Sequence, residues 1–474
     1  MQRPSILAVS IIAGLGLAAC SDDPPPPDEV RARISADLGN VLREGNAAYQ
    51  GGTEAMPGGA ATAVVERMFG TDSTVVQRVR GVVARLAPAA SHGALPVDEP
   101  YSADQQIAYL TEKLFTDANY LGDGIFQVPP SLVCARTEID TTGKPVETID
   151  AACAEQLAEA EIRVRVSRSG GQIRFSLQLG ADHDEPLTIG LEHHAISVTI
   201  DLDDAWHAAV ALAKVFGQEL PNASLAGQIT GRLEILGAAH AKATLDIDRA
   251  LAIAFAEAGV ALDGPDAYRF SSAKAKVFSI ELDGAARHAA FALGLGATAA
   301  HVLDDTDAGR DRIDLDLPGL TAAAEFTEGR PLEVTRVSLG DRTASISKNG
   351  RRAVAIDLNP DDGRAFGATL GLDPATGRET LAVSPKLDLR VVVDHAALGD
   401  AAPVYDVTQI LLDGSVRSDA TGDRLEVLTG SLEISTNPAA YGITAAAGQC
   451  VSARDVEDLP SGDIYTQWLV SACQ

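Results

Sequence analysis

The stretch Ile162–Leu179, IRVRVSRSGGQIRFSLQL, decides the fold class because two runs of alternating apolar and polar residues flank a diglycine. The first run places Ile162, Val164 and Val166 on one side and arginine or serine on the other. A period of two is typical of strands that bury one face, and a short glycine-rich linker joins such strands as a hairpin. The stretch therefore predicts an antiparallel hairpin with one buried and one solvated face.

Similar strand-like runs continue from residues 187–191 to residues 465–470, separated by turns rich in Gly and Asp. Their short spacing favours antiparallel sheets over parallel βαβ units. One interruption is expected, where Asp203 can cap a helix over residues 204–218 that ends before Pro221. The chain contains no P-loop or dinucleotide-binding fingerprint, and its strand-like runs have no fixed repeat period.

The N-terminal region has helical rather than strand periodicity. We predict three amphipathic helices there, the second capped by Ser73 and the third by Ser102. The overall prediction is an α+β fold, with a helical region at residues 28–122 and a β-rich, mainly antiparallel body at residues 123–474 that carries one inserted helix. The apolar stripes of the three helices are Val30, Ile34, Leu38 and Val41; Val75, Val79, Val82 and Leu86; and Ile107, Leu110 and Leu114.

The first twenty residues have the features of an export signal. Arg3 supplies positive charge, residues 6–17 form a short apolar run, and Ala18-Ala19 precedes Cys20. The motif Leu17-Ala18-Ala19-Cys20 resembles the lipobox of bacterial lipoproteins, in which the cysteine receives a diacylglycerol and becomes the first mature residue. The alternative is an ordinary secretory signal that a cysteine happens to follow.

The resemblance implies a signal peptide at residues 1–19, followed at residues 20–27 by lipidated Cys20 and a proline-rich spacer. Pro24–Pro27 is expected to be stiff and extended. The resemblance places the protein in the cell envelope, anchored to a membrane by lipid. Because Ser21 rather than aspartate follows the cysteine, the outer membrane is favoured over the inner membrane.

The formal net charge of −28 argues against nucleic acid as a partner, because phosphate binding requires clustered basic residues. The expected partners are the membrane, through the anchor, and a lipid or an envelope protein. Four cysteines remain after Cys20 and predict disulfides in an exported chain. Three pairings are open, and proximity favours Cys134–Cys153 and Cys450–Cys473.

Calcium is the one cofactor candidate, in the segment 304–316. Calcium prefers several oxygen ligands on a tight turn, and Gly309 lies among four aspartates. The spacing departs from the EF-hand pattern, and an acidic hairpin loop is the alternative interpretation. Residues 357–363 are a weaker candidate. The proposed ligands are Asp305, Asp307, Asp311 and Asp314.

No complete catalytic motif is present, so no catalytic residue is predicted. The chain lacks GxSxG and HExxH, and its two SxxK matches, Ser271–Lys274 and Ser345–Lys348, lie in strand-like sequence. His193 and His194 fall where the alternation slips by one residue, which we interpret as a β-bulge.

These observations favour a non-enzymatic, lipid-anchored envelope protein that binds a ligand or serves as a scaffold. Strands with small apolar residues on one face suggest a groove for an amphiphile. Two alternatives stay open: an envelope hydrolase whose site is assembled from distant residues, and an adhesion or surface protein stiffened by calcium.

Overall fold

The computed structural model describes residues 24–48 and 111–474, apart from short gaps at 42, 46, 140–144, 170, 180–183, 216–219, 307–308, 362, 373–377, 399–406, 419–423, 437–441, 459–462 and 474. Within these residues the fold is mostly antiparallel β-sheet, which confirms the predicted large sheet body. No described helix is both long enough and apolar enough to cross a bilayer.

The helices are short, and the strands lengthen in the middle of the chain. The helices are α1 (Pro27–Arg33), which continues into a π-helical turn (Ile34–Leu38), α2 (Pro130–Val133), α3 (Ala151–Glu159), α4 (Leu202–Val215) and α5 (His395–Leu398). The first ten strands are β1 (Tyr120–Gly122), β2 (Ile125–Gln127), β3 (Ala135–Ile139), β4 (Pro145–Ile149), β5 (Arg163–Ser169), β6 (Gln172–Leu179), β7 (Asp184–Glu192), β8 (Ala195–Asp201), β9 (Asn222–Gly237) and β10 (His240–Ala256).

The remaining strands follow one another with little intervening chain. They are β11 (Tyr268–Ser272), β12 (Ala275–Asp283), β13 (His288–Leu295), β14 (Thr298–Thr306), β15 (Gly309–Leu317), β16 (Leu320–Thr327), β17 (Leu332–Leu339), β18 (Ala344–Lys348), β19 (Arg351–Leu358), β20 (Ala365–Leu372), β21 (Glu379–Ser384), β22 (Leu387–Val393), β23 (Val407–Ser418), β24 (Arg424–Thr436), β25 (Ile443–Ala446), β26 (Gln449–Asp458) and β27 (Asp463–Ala472).

In the described part of the chain, one 25-stranded sheet contains every strand except the β3–β4 hairpin, and this sheet divides into two leaves. Strand β10 pairs with β12 through residues 240–247 and with β11 through residues 251–255. We call β12, β13, β16, β17, β20 and β21 leaf A, and β11, β14, β15, β18, β19 and β22 leaf B. The leaves meet again at β23, which pairs with β21 and with β22.

The chain passes back and forth between the leaves through short corners. A hairpin in one leaf leads to a corner and then to a hairpin in the other leaf, so the corners form a line along which the sheet is folded. Hydrogen bonding continues across this fold line, since the N–H of Gly340 donates to the carbonyl of Gly319 over 2.9 Å. Gly340 leaves no room for a side chain, because a Cβ there would lie 2.6 Å from the carbonyl oxygen of Pro318.

The hairpin predicted from Ile162–Leu179 is confirmed as β5 and β6, and Val166 and Ile173 are fully buried. The inserted helix is confirmed as α4 but begins at Leu202. The prediction of a single inserted helix was incomplete. Helix α3 was missed, although Asp150 caps it by accepting hydrogen bonds from the N–H groups of Ala152 and Cys153.

The first predicted N-terminal helix is confirmed, with Val30, Ile34 and Val41 buried. The helix predicted after Ser73 and most of the helix predicted after Ser102 lie outside the described residues. Helical structure is described at residues 111–114, the end of the latter. Residues 1–23, including Cys20, also lie outside the described part.

Both disulfides join the cysteines that are nearest in sequence. Cys134 pairs with Cys153, where α2 and α3 pack in a common apolar cluster, and Cys450 pairs with Cys473. The second bond ties the end of β27 to β26, its hydrogen-bonded neighbour. The first disulfide therefore joins the two helices that flank the β3–β4 hairpin, and the second fastens the C-terminal strand to the sheet.

The proline run belongs to the body rather than standing clear of it. Pro26 is extended as predicted, but Pro25 and Pro27 are buried, and Pro27 begins α1. Pro24 lies so close to Gly124 that a Cβ on this glycine would come within 2.8 Å of the proline Cβ. The predicted stand-off spacer is therefore packed against the sheet from Pro24 onward.

Candidate functional site

An unbroken row of apolar side chains crosses the sheet on one face, from β6 to β21. Directly paired residues on neighbouring strands share a face, and each member of the row is the register partner of the next. Eleven strands spaced about 4.8 Å apart give the row a length of about 48 Å. The members are Ile173, Leu191, Ile196, Leu233, Ala243, Ile280, Phe291, Ala324, Val334, Ala368 and Val383.

A second apolar row crosses leaf B from β9 to β22. It spans eight strands and thus about 34 Å. Its members are Leu225, Ile253, Phe270, Ala300, Leu315, Ile346, Val354 and Val393.

The apolar faces of the two leaves are turned toward each other. Near the fold line, Val337 and Phe366 of leaf A pack in one cluster with Leu317, Ile356 and Leu389 of leaf B. From this cluster the two apolar faces extend away from the fold line. We call the region between these two faces the trough.

The C-terminal end of the trough is filled by a packed core. Strands β23 and β24 contribute Leu412, Val416, Val427 and Leu432, which are buried together, and Trp468 of β27 packs against them. This core includes residues that lie on both sides of the fold line. The two walls are thus joined at this end.

The N-terminal end is covered by the helical segment that follows α1. Ala48 is fully buried against Ala241, Leu282 and Ala289 on the trough side of leaf A. A Cβ on Gly45 would make ordinary contact with the side chain of Leu233, 3.7 Å away. The segment therefore occupies the trough over β9, β10, β12 and β13.

Between these ends, large apolar side chains in the trough stay partly open to solvent. Phe270, Leu315 and Ile346 of the leaf B row are 37–38% exposed, and Val302 on the same face is 44% exposed. Leu370 on the facing side of leaf A is 39% exposed. Scattered apolar residues are normal on a protein surface, but a contiguous lining of this kind marks an interaction site.

The aspartates proposed for calcium lie on a β-hairpin, as the alternative interpretation predicts. Asp305 is on β14, Asp307 lies outside the described residues, and Asp311 and Asp314 are on β15. Residues three apart on a strand point to opposite faces, so Asp311 and Asp314 do not converge. In the described part of the chain, no group of three or more His, Cys, Asp or Glu side chains is placed to hold a metal ion.

Both of these carboxylates have cationic neighbours. Asp311 accepts from Lys348 Nζ at 2.9 Å and from Asn349 Nδ2 at 2.8 Å, and these bonds lower its pKa. Burial raises the pKa of Asp314, but hydrogen bonds from His301 and Arg312 outweigh it, so this pKa is also lowered. The two aspartates therefore serve as acceptors for side chains of the sheet.

A buried histidine–carboxylate pair lies on the face of leaf B that points away from the trough. His301 Nδ1 is 2.7 Å from Asp314 Oδ1, and His301 Nε2 is 3.0 Å from the carbonyl oxygen of Pro265. A catalytic histidine needs its second nitrogen directed at a nucleophile or substrate. Here that nitrogen is held by a backbone carbonyl, and the pair fastens the loop after β10 to the sheet.

The structure corrects the interpretation of His193 and His194 as a β-bulge. Glu192 and Ala195 are register partners, so the two histidines are the turn residues between β7 and β8. Their rings pack edge to face with centroids 4.4 Å apart, and His193 Nδ1 lies 3.2 Å from Asp37 Oδ1. They join a hairpin tip to the N-terminal helical segment.

Alternation within single strands identified the apolar faces that line the trough, but it did not indicate the trough itself. The sequence gives no sign of the corners at which the sheet folds, because strands on either side of a fold line have the same alternation as strands of a flat sheet. No protein-family model, curated protein or solved structure matches the chain. The trough is accordingly the basis on which a function is assigned.

Proposed function

We propose that this protein is a lipid-anchored envelope protein that binds the acyl chain of an amphiphile in the trough. The observation that carries the proposal is the row of partly exposed Phe270, Leu315 and Ile346, on the face of leaf B that packs against leaf A at the fold line. Such a surface gains free energy when it is covered by an apolar ligand.

The shape of the trough favours a slender occupant. Its walls converge on the packed cluster around Val337 and Leu317, so the space narrows toward the fold line. A folded domain cannot enter such a wedge, whereas an extended alkyl chain can lie along it. The exposed side chains of leaf B run from β11 to β18, a distance of about 14 Å, which is close to half the ~30 Å hydrocarbon core of a bilayer.

The energetics place a lower limit on the chain length. Each buried methylene contributes about 0.8 kcal/mol, whereas association costs on the order of 4–15 kcal/mol. A chain of about ten carbons or more is therefore needed for useful affinity. This range covers the acyl chains of ordinary membrane lipids.

The proposed anchor at Cys20 would keep the trough next to its source of ligand. Pro24 packs against the sheet beside Gly124, and the four residues from Cys20 to Pro24 span no more than about 14 Å. An acylated Cys20 would thus hold the β1–β2 hairpin, at the edge of the sheet, near the membrane surface. The Ser21 position favours the outer membrane.

Native mass spectrometry of the mature chain, exported to a bacterial periplasm and purified without detergent or chelator, tests the proposal. We expect adducts of lipid-like mass that are displaced by a long-chain fatty acid. The double variant Leu315→Gln, Ile346→Gln should weaken binding of a fluorescent fatty acid at least about tenfold, because it removes apolar contact area. Thr369→Gln is the matched control, since this exposed side chain lies on the face of leaf A opposite its neighbour Leu370.

A bare chain that also fails to bind the fluorescent fatty acid would contradict the proposal and favour a scaffold. Adducts of calcium mass that vanish with chelator would instead favour the calcium-stiffened alternative. The hydrolase alternative has no comparable support, since the buried His301 is engaged by Pro265.

A further inference from the structure

A second candidate site lies on the opposite face of leaf B, behind the trough wall. An open cavity of about 580 Å³ extends over β9, β10, β11, β14, β15 and β18. Register partners place Arg269, His301, Asp314 and Ser347 in one row on this face. The adjacent row contains Ser271, Ala299, Asp316 and Ser345. The volume is in the range of small-molecule sites.

The floor of this cavity is built from the smallest side chains. Alanines and serines lie beside the charged groups on this face, and the strand positions Ile253, Phe270 and Leu315 also border the cavity, so a flat ligand can approach the sheet closely. His301, which borders the cavity, is held in place by Asp314 and by the Pro265 carbonyl of the loop between β10 and β11. The site is therefore built on paired strands and is preformed.

Several polar groups in the cavity have no partner of their own among the described residues. Asp316 makes no described side-chain hydrogen bond, and Arg269 makes one long bond, from Nη1 to the Asp263 carbonyl at 3.4 Å. Four hydroxyls in the lining are likewise without a described bond. These are Ser224, Ser271, Ser345 and Ser347.

We infer that this cavity binds a neutral polyhydroxylated ligand, an oligosaccharide. An anionic ligand would face Asp316 and Asp314, and a cationic ligand would face Arg269 and Arg312. A sugar can bind both the carboxylates and the guanidinium groups, because each of its hydroxyls can donate a hydrogen bond to a carboxylate and accept one from a guanidinium. Arg269 and Asp316 are separated by two strand spacings and by two residues along the strands, about 12 Å in all, which leaves room for a sugar between them.

The test is a glycan array that presents neutral, anionic and cationic oligosaccharides to the mature chain, followed by calorimetric titration of the tightest neutral binder. We expect saturable binding of a neutral oligosaccharide. Asp316→Asn and Arg269→Gln should each weaken it about tenfold by removing a charge-assisted hydrogen bond. Thr369→Gln, on leaf A, should bind as the wild type does, and thermal unfolding should show that all variants are folded.

Binding of charged glycans alone, the absence of any binding, or wild-type affinity in both cavity variants would overturn the inference. A pull-down on insoluble cell-wall glycan, with the soluble oligosaccharide as competitor, distinguishes a polymer from a free sugar as the ligand. Failure of this inference is distinguishable from failure of the proposed function, since Asp316→Asn and Arg269→Gln alter side chains on the face away from the trough and should leave binding of the fluorescent fatty acid unchanged.

Discussion

Asn359 and Asp388 are joined by two hydrogen bonds at the fold line. The N–H of Asn359 donates to the Asp388 carbonyl over 2.7 Å, and the N–H of Asp388 donates to Asn359 Oδ1. Asn359 Nδ2 also donates to the carbonyls of Ala365 and Lys386, at 3.1 and 2.8 Å. A single buried amide thus links the corner between β19 and β20 to the corner between β21 and β22.

We expect Asn359→Ala to lower the free energy of unfolding by about 2–4 kcal/mol, because it leaves buried backbone groups unpaired and keeps a positive φ. The side chain is fully buried and its φ is 41°. Asp123→Ala is the matched control, with a φ of 50° at the exposed turn between β1 and β2. Urea denaturation should give a loss of no more than about 1.5 kcal/mol there. Equal losses would assign the effect to backbone conformation rather than to the corner hydrogen bonds.

A second prediction compares Gly430, within β24, with Gly448, in the turn between β25 and β26. Gly430 has a φ of +72°, and a Cβ there would lie 1.8 Å from the Asp413 carbonyl oxygen. Gly448 has a φ of +85° with no atom within 4 Å of such a Cβ. Gly448→Ala should therefore cost about 1–2 kcal/mol, the conformational term alone. Gly430→Ala should cost at least about 2 kcal/mol more, because β23 and β24 must separate. Similar midpoints of the two variants in guanidinium denaturation would show that β23 and β24 can separate at Gly430 without a further loss of stability.

Sequence reasoning succeeded where a local pattern is sufficient. The alternation in Ile162–Leu179 and the diglycine predicted a hairpin that is confirmed. The inserted helix was predicted two residues late, since the expected cap Asp203 lies in the first turn of α4. It failed where a feature depends on strands that are distant in sequence. Residues 357–363 illustrate this, since they were weighed as a calcium loop, whereas Asn359 in this segment is a buried corner residue.

From the sequence, the candidate site could be predicted only as an apolar face that recurs on many strands. Small apolar residues on one side of many strands suggested a groove, but the trough exists because leaf A and leaf B separate at β10 and rejoin at β23. That division depends on which residues of β10 pair with β11 and which pair with β12. Such pairing cannot be read from the sequence of a single strand. The partners of His301 and Asp316 were hidden for the same reason.

The stability of leaf B should depend on pH through Asp314. Because its pKa is lowered in the folded state, the carboxylate stabilises the fold above its unfolded pKa of about 3.9, and this contribution is lost as pH falls through the folded pKa. Asp314→Asn should therefore be less stable than the wild type at pH 6, and the difference should shrink between about pH 5 and pH 3. Thermal midpoints measured across this range check the sign. A difference that grows on acidification would mean that the carboxylate does not stabilise the fold as an anion.

A variant that fills the trough distinguishes a ligand-binding protein from a scaffold. Ala324 lies in the apolar row of leaf A between Phe291 and Val334, and its neighbour Ala323 points to the opposite face. We expect Ala324→Phe to weaken binding of a fluorescent fatty acid at least about tenfold, because the ring occupies the ligand's space. Its thermal midpoint should be unchanged or raised, since the added ring covers apolar surface that is otherwise open. Ala323→Phe should bind as the wild type does. If Ala324→Phe instead lowers stability by the 1–3 kcal/mol typical of an overpacked core, the leaves are closed on each other at this point and the trough is part of the scaffold.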